Sequence, residues 1–248
     1  MCGRLNVSDD PFVTQLLNEL GVDNPSDSMR YARFMRATNT LSIVREISVR
    51  ETSIRGINTG ETKGKRVLTP AIWWLLLEST ETGFKPSKYT SFNTRYDKLN
   101  APRSAGYKAY RESRCVIVAK GFGETEYQNK KPLHYHDFEA DRGAIAFGGL
   151  YREWVHPSSG IVTYSCSVIT VPPHEKLASY HSKSSPLMLP QHDDTINAWL
   201  DPGNTETEMF SDLLQPKLYQ DLLVQEIDKP SHYAAVGEAR TIKRDARN

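Results

Sequence analysis

The 248 residues contain three cysteines, Cys2, Cys115 and Cys166, and no Cys-x-x-Cys pair. An odd number at these spacings excludes a disulfide framework and a zinc site of the usual pattern. Long hydrophobic runs are also missing. No stretch approaches the roughly 18 apolar residues of a membrane-spanning helix, and acids at Asp9 and Asp10 interrupt the segment where a secretory leader needs an unbroken apolar core. The expectation is an intracellular protein with no membrane association: cytoplasmic, or nuclear in a eukaryotic host. Excess charge is missing too. A formal net charge of +1 excludes a chain held to nucleic acid by bulk charge alone. There is no internal repeat and no low-complexity linker, which predicts one domain over residues 2–230, with 231–248 as a partly frayed, basic extension. With 38% hydrophobic and 25% charged residues the chain has the composition of a folded globular protein, expected to be monomeric.

The apolar patterning is mostly that of strands. Runs at 41–49, 66–77, 115–119, 143–151 and 162–170 read as strands, and the polar stretch 57–65 reads as a turn or exposed loop. A helix is expected from Asp10-Pro11, as cap and first helical position, with Val13, Leu16, Leu17 and Leu20 on its apolar face; further helices are expected near 191–200 and 205–214. Many strands with few intervening helices do not make βαβ units. The fold class is therefore α+β, a mostly antiparallel, barrel-like sheet core with peripheral helices. Cys115 and Cys166 lie in apolar runs and read as core.

Charge is segregated along the chain. Between Asn93 and Arg114, Arg95, Lys98, Arg103, Lys108, Arg111 and Arg114 stand against Asp97 and Glu112, with Tyr96, Tyr107 and Tyr110 interleaved. Such a segment suits either a phosphate backbone with stacked bases or a solvated helix face. His134 and His136 have no Cys or acid partners at ligand spacing, so they read as two histidines in a loop rather than a metal site.

Cys2 carries the unusual chemistry. Removal of Met1 would leave a 1,2-aminothiol whose amine and thiol titrate at about 8 and about 8.5, so both nucleophiles are available at neutral pH. An aldehyde is the matched electrophile: the amine condenses to a Schiff base and the thiol closes a five-membered thiazolidine.

Four further stretches, in order, resemble the SOS-response-associated peptidase family of abasic-site-processing proteins. They are Met1-Cys2-Gly3-Arg4, Phe92-Asn93-Thr94-Arg95, the run from Arg114 to Glu124, and His181 ahead of Pro186-Leu187-Met188-Leu189. The resemblance extends from residue 2 to about Leu200 and takes in Trp73-Trp74-Leu75 and Ala146-Phe147-Gly148-Gly149-Leu150. It implies that Cys2 crosslinks to abasic sites in single-stranded DNA, with Asn93, Glu124 and His181 completing a catalytic pocket that needs no cofactor and no metal. Glu124 would serve as general acid and base, His181 would relay a proton, and Asn93 would orient the Cys2 amine. Arg4 and Arg95 fit phosphate clamps, and one of Trp73 and Trp74 fits a DNA-stacking surface while the other is core. Reversal of the adduct and strand cleavage by elimination would be side activities. Two departures stand out: the His181-to-Pro186 spacing is one residue longer than the family's, which makes His174 a substitute candidate, and Thr125 stands where the family usually has Trp. The alternative reading is a peptidase or amidohydrolase that uses Cys2 for acyl transfer and releases Met1 by self-cleavage.

Overall fold

The computed structural model describes residues 3–47 and 64–246, so Cys2 and nearly all of the 57–65 stretch lie outside the described residues. Five strands close into a barrel: β3 (Thr40–Ile47), β4 (Lys65–Ile72), β8 (Arg114–Ala119), β11 (Ile145–Val155) and β12 (Val162–Val171). Their order is β11-β8-β3-β4-β12, and β12 pairs back onto β11 from Gly149↔Val168 to Val155↔Val162. Every pairing around this ring is antiparallel except β4 with β12. Closure leaves no free edge within the ring. The runs expected as strands supply it, because β8 and the first half of β11 are buried on both faces and so read as continuous apolar sequence. Cys115 and Cys166 are fully buried free thiols, as expected.

The second sheet is open and antiparallel. Its order is β15-β14-β10-β9-β1-β2, from β1 (Arg4–Val7), β2 (Ala32–Arg36), β9 (Gly121–Gln128), β10 (Lys131–Ala140), β14 (Leu222–Ile227) and β15 (Ala235–Ile242). It packs on the barrel through Phe122, which stacks on Phe138 (4.8 Å, 8°) and meets Phe147 of β11 edge-on (5.9 Å, 86°). Short strands β5 (Leu77–Ser79) and β6 (Phe84–Pro86) form a separate pair, while β7 (Asn93–Arg95) and β13 (Ser185–Pro186) add to β12.

Helices are peripheral. Helix α1 (Pro11–Glu19) starts where expected: Asp10 is extended and accepts a hydrogen bond from the Phe12 N–H, Pro11 occupies the first turn, and Val13, Leu16 and Leu17 are buried. Helices α2 (Pro25–Ser28), α3 (Tyr96–Leu99) and α4 (Tyr107–Glu112) are short, as is α5 (Thr195–Leu200), and Thr207–Leu214 forms a 3-10 helix instead of an α-helix.

Two further expectations differ from the structure. His134 and His136 lie on β10 rather than in a loop, and within the extension 231–248, expected to be partly frayed, residues 235–242 pair with β14 from Leu222↔Ile242 to Ile227↔Ala235. The second difference has a simple cause. β15 is exposed along its length except at Ile242, so it joins by backbone hydrogen bonding and carries no apolar signature.

Candidate active site

The cleft of interest opens where β1 begins, beside the middle of β9. It encloses 330 Å³ and is lined by Gly3, Arg4, Phe92, Gly123, Glu124, Thr125, Tyr127, His181 and Lys183. Three distant segments meet there because Arg4 pairs opposite Gly123 across β1 and β9, while the chain after the 3-10 turn Glu175–Leu177 brings His181 back over Glu124.

Glu124 is the electrostatic centre. Its side chain is 5% exposed, and burial raises its pKa to about 7, with the nearby Arg4 guanidinium acting in the opposite direction. His181 Nδ1 lies 3.5 Å from Glu124 Oε2, a contact rather than a tight hydrogen bond. Burial pulls the imidazole down to about 4, against a hydrogen bond with the Thr125 backbone that favours the charged form. At neutral pH the pair is therefore a neutral imidazole beside a carboxyl poised between its acid and base forms. A group with that pKa can both donate and accept a proton in one reaction cycle.

Arg4 is held in place. Its guanidinium donates to Thr125 Oγ1 (2.8 Å) and to the Glu124 carbonyl oxygen (2.7 Å), and it lies over the rings of Phe34 and Tyr135. Glycine at 123 permits this, since a Cβ there would stand 2.5 Å from Arg4 Nε. Thr125, the departure noted in the sequence, thus anchors Arg4.

The remaining candidates separate clearly. Asn93 is half-buried at the start of β7, paired with Val168 of β12, and is the chain neighbour of Phe92 in the cleft wall. Trp73 is fully buried, with its Nε1 donating to the Phe92 carbonyl oxygen at 2.8 Å, so it is the core member of the tryptophan pair and offers no DNA-stacking face. Trp74 is half-buried, donates to the Ser87 carbonyl oxygen, and supports Phe92 ring to ring at 5.7 Å. His174 is buried away from the cleft: Nε2 meets Asp245 Oδ2 at 2.8 Å and Nδ1 accepts from the Lys176 N–H, a structural role that leaves His181 as the cleft histidine.

The 93–114 segment is largely committed to the protein itself. Arg95 forms a two-point pair with Asp97, Lys108 pairs with Glu112, Arg111 lies over Tyr107, and buried Arg114 donates to five carbonyl oxygens. Arg95, however, remains 66% exposed in its side chain and can exchange Asp97 for another anion.

Phe92, Tyr127 and Lys183 were not singled out from the sequence as cleft residues. Phe92 was visible only as the first residue of its motif. Tyr127 would have required recognising β9, whose polar residues mask its strand pattern. Among the described residues no three His, Cys, Asp or Glu side chains gather where they could hold a metal ion, and no helix is long and apolar enough to cross a membrane.

Comparison with known proteins gives the fold's neighbours and the chain's family. Solved structures of a Bordetella bronchiseptica protein (TM-score 0.65, 14% identity, 92% of this chain and 100% of that one) and a Bacteroides thetaiotaomicron protein (TM-score 0.65, 15% identity, 91% and 92%) share the fold. The abasic site processing protein HMCES of Xenopus tropicalis is 28% identical over 185 residues, which cover 66% of this chain and 54% of the relative. The abasic site processing protein YoqW of Bacillus subtilis is 31% identical over 131 residues, 52% of this chain and 55% of the relative. The matched region is thus about half the length of these curated relatives. The family model described as SOS response associated peptidase (SRAP) matches residues 1–230, and the chain belongs to that family.

Proposed function

We propose that this protein processes abasic sites in DNA by forming a covalent crosslink through Cys2 once Met1 is removed. The observation that carries the reading is Glu124, with its pKa near 7 beside a neutral His181, in a cleft edged by Gly3, the covalent neighbour of Cys2. The names of relatives in two distant organisms, both abasic site processing proteins, support the substrate class.

In the proposed reaction, Glu124 in its acid form protonates the deoxyribose ring oxygen as the sugar opens to the aldehyde, and the proton released by the anomeric hydroxyl returns through His181 to Glu124. The Cys2 amine adds to the carbonyl carbon, and the carbinolamine loses its hydroxyl as water with a proton from the same carboxyl, which takes back the nitrogen's proton to leave an imine. The Cys2 sulfur then attacks the imine carbon while its proton passes to the nitrogen, closing a thiazolidine with net loss of one water. His181, uncharged at neutral pH, shuttles protons without repelling the amine. Arg4 and Arg95 bind phosphates on either side, and Asn93 orients the amine. A single strand is the proposed substrate, since the aldehyde carbon must reach a recessed carboxyl. The finer assignments of reversal, elimination and monomeric state belong to this same proposal.

The test is intact-protein mass spectrometry after incubation with a single-stranded oligonucleotide carrying one abasic site. Wild type lacking Met1 is expected to gain the oligonucleotide mass less one water, and Cys2→Ala to gain nothing. An undiminished adduct on Cys2→Ala refutes the crosslink, and mature protein that forms no adduct but hydrolyses an amide without DNA favours the peptidase alternative.

A further inference from the structure

The hairpin beyond Glu124 has no role in the chemistry above. β9 and β10 run past the cleft and join through a two-residue turn, Asn129-Lys130, in which both residues are left-handed (φ 50° and 65°) and Gln128 pairs with Lys131. From Tyr127 to Leu133 every residue is exposed, including Tyr127 at 59% and Leu133 at 46%. Tyr127 also lines the cleft, three residues along the strand from Glu124, a span of about 10 Å. Lys183 lies on the same rim, and Lys130 and Lys131 crown the hairpin.

These side chains are uncommitted, in contrast to the 93–114 segment. Among the described residues Lys130, Lys131 and Lys183 make no ion pair, and Tyr127 stacks on no aromatic ring. An exposed tyrosine at a cleft rim with free lysines beyond it is the arrangement that stacks a base and then follows a phosphate backbone. An abasic nucleotide presents no base of its own, so a grip on the strand must come from its neighbours.

The geometry points to the β9–β10 hairpin as a single-stranded DNA clamp: Tyr127 stacks on a base adjacent to the lesion, and Lys130, Lys131 and Lys183 bind the phosphates that follow. This rests on the function proposed above and adds the strand's exit path, on one side of the lesion only.

The experiment uses the full chain and oligonucleotides carrying a tetrahydrofuran abasic analogue, which has no aldehyde and cannot crosslink, so binding is read apart from chemistry. One oligonucleotide extends only 5′ of the lesion and the other only 3′, and affinity is measured by fluorescence anisotropy across a salt series. Tyr127→Ala is expected to weaken binding roughly tenfold for one of the two, and Tyr127→Phe to restore it, because stacking needs the ring and not the hydroxyl. Lys130→Ala with Lys131→Ala should flatten the dependence of log affinity on log salt by roughly 0.7 for each phosphate no longer neutralised, for that same oligonucleotide. Equal losses on both oligonucleotides, or none on either, overturn the clamp. Wild type that crosslinks an authentic abasic strand while the hairpin variants bind the analogue normally overturns the clamp and leaves the proposed function standing; wild type that neither crosslinks nor binds overturns the function itself.

Discussion

Glu124 and His181 show what burial does to two ordinary side chains. In an unfolded chain near pH 5.5 the imidazole holds a proton and the carboxyl does not. In the folded cleft the preference is inverted, with Glu124 at about 7 and His181 at about 4. The consequence for stability follows from proton counts. Between about 4.5 and 7 the native state holds more protons on Glu124 than the unfolded state, so this residue's contribution falls as pH rises; between about 4 and 6.5 it holds fewer on His181, so that contribution grows. The two slopes oppose each other from about 4.5 to 6.5. Wild-type stability should therefore be nearly flat in that window as far as this pair is concerned. Glu124→Gln should reveal a stability that rises with pH to about 6.5, and His181→Gln one that falls up to about 7, each by on the order of 3 kcal/mol. Urea midpoints from pH 4 to 8 check this, and variants whose profiles parallel wild type would show that the inverted preference does not exist. On activity, Glu124→Gln should slow adduct formation by roughly 10²–10⁴-fold, the usual range for loss of a general acid–base group.

At the scale of elements, Arg114 ties three segments together. Its guanidinium donates to the carbonyl oxygens of Tyr110 and Arg111 at the end of α4, Trp199 in α5, and Asp201 and Asn204 beyond it, at 2.7–3.0 Å. Burial lowers its pKa to about 10, which leaves it charged at neutral pH. Arg114→Ala would strand several buried carbonyls and should cost roughly 3 kcal/mol or more. Arg114→Lys should recover little, because one ammonium cannot span a fork of five acceptors. Calorimetry of both variants tests this, and full recovery by lysine would refute the fork. The residue belongs to a stretch singled out for its resemblance and its positive charge, and the sequence could not tell a surface cation from a buried tie. That distinction depends on carbonyls some 85 to 90 residues away. The barrel strands were legible because each carries an apolar run, continuous where both faces are buried, as in β8 and the first half of β11. β9 and β10 were not, because Glu124, Thr125, His136 and Asp137 are all buried polar residues. On β9 the strand pattern is disguised by Glu124 and Thr125, two of the groups that line the cleft. The motif residues themselves were legible, since Arg4, Glu124 and His181 do converge, whereas the choice between Trp73 and Trp74, and between His174 and His181, required tertiary partners.

For the whole molecule, the question is where the folding unit ends. The family match stops at residue 230, yet the chain that follows returns to the body. β15 covers the edge of β14, and Asp245 accepts from His174 Nε2, Lys176 Nζ and the Leu218 N–H. Burial works to raise the Asp245 pKa, but these hydrogen bonds outweigh it and hold the carboxyl down at about 2. The 3-10 turn that His174 caps leads directly to His181, so the tail braces the segment that carries the cleft histidine. Asp245→Ala should lower Tm by roughly 3–12 °C, corresponding to one lost hydrogen bond to a charged group in a protein of this size. Truncation after residue 230 should do more, exposing the β14 edge to pairing with other chains and promoting association at high concentration. The decisive comparison is adduct formation: if the brace matters, Asp245→Ala should slow the reaction at temperatures well below its Tm, because His181 is less firmly held. A variant with lowered Tm but wild-type rate would mean that the tail stabilises the fold without reaching the cleft.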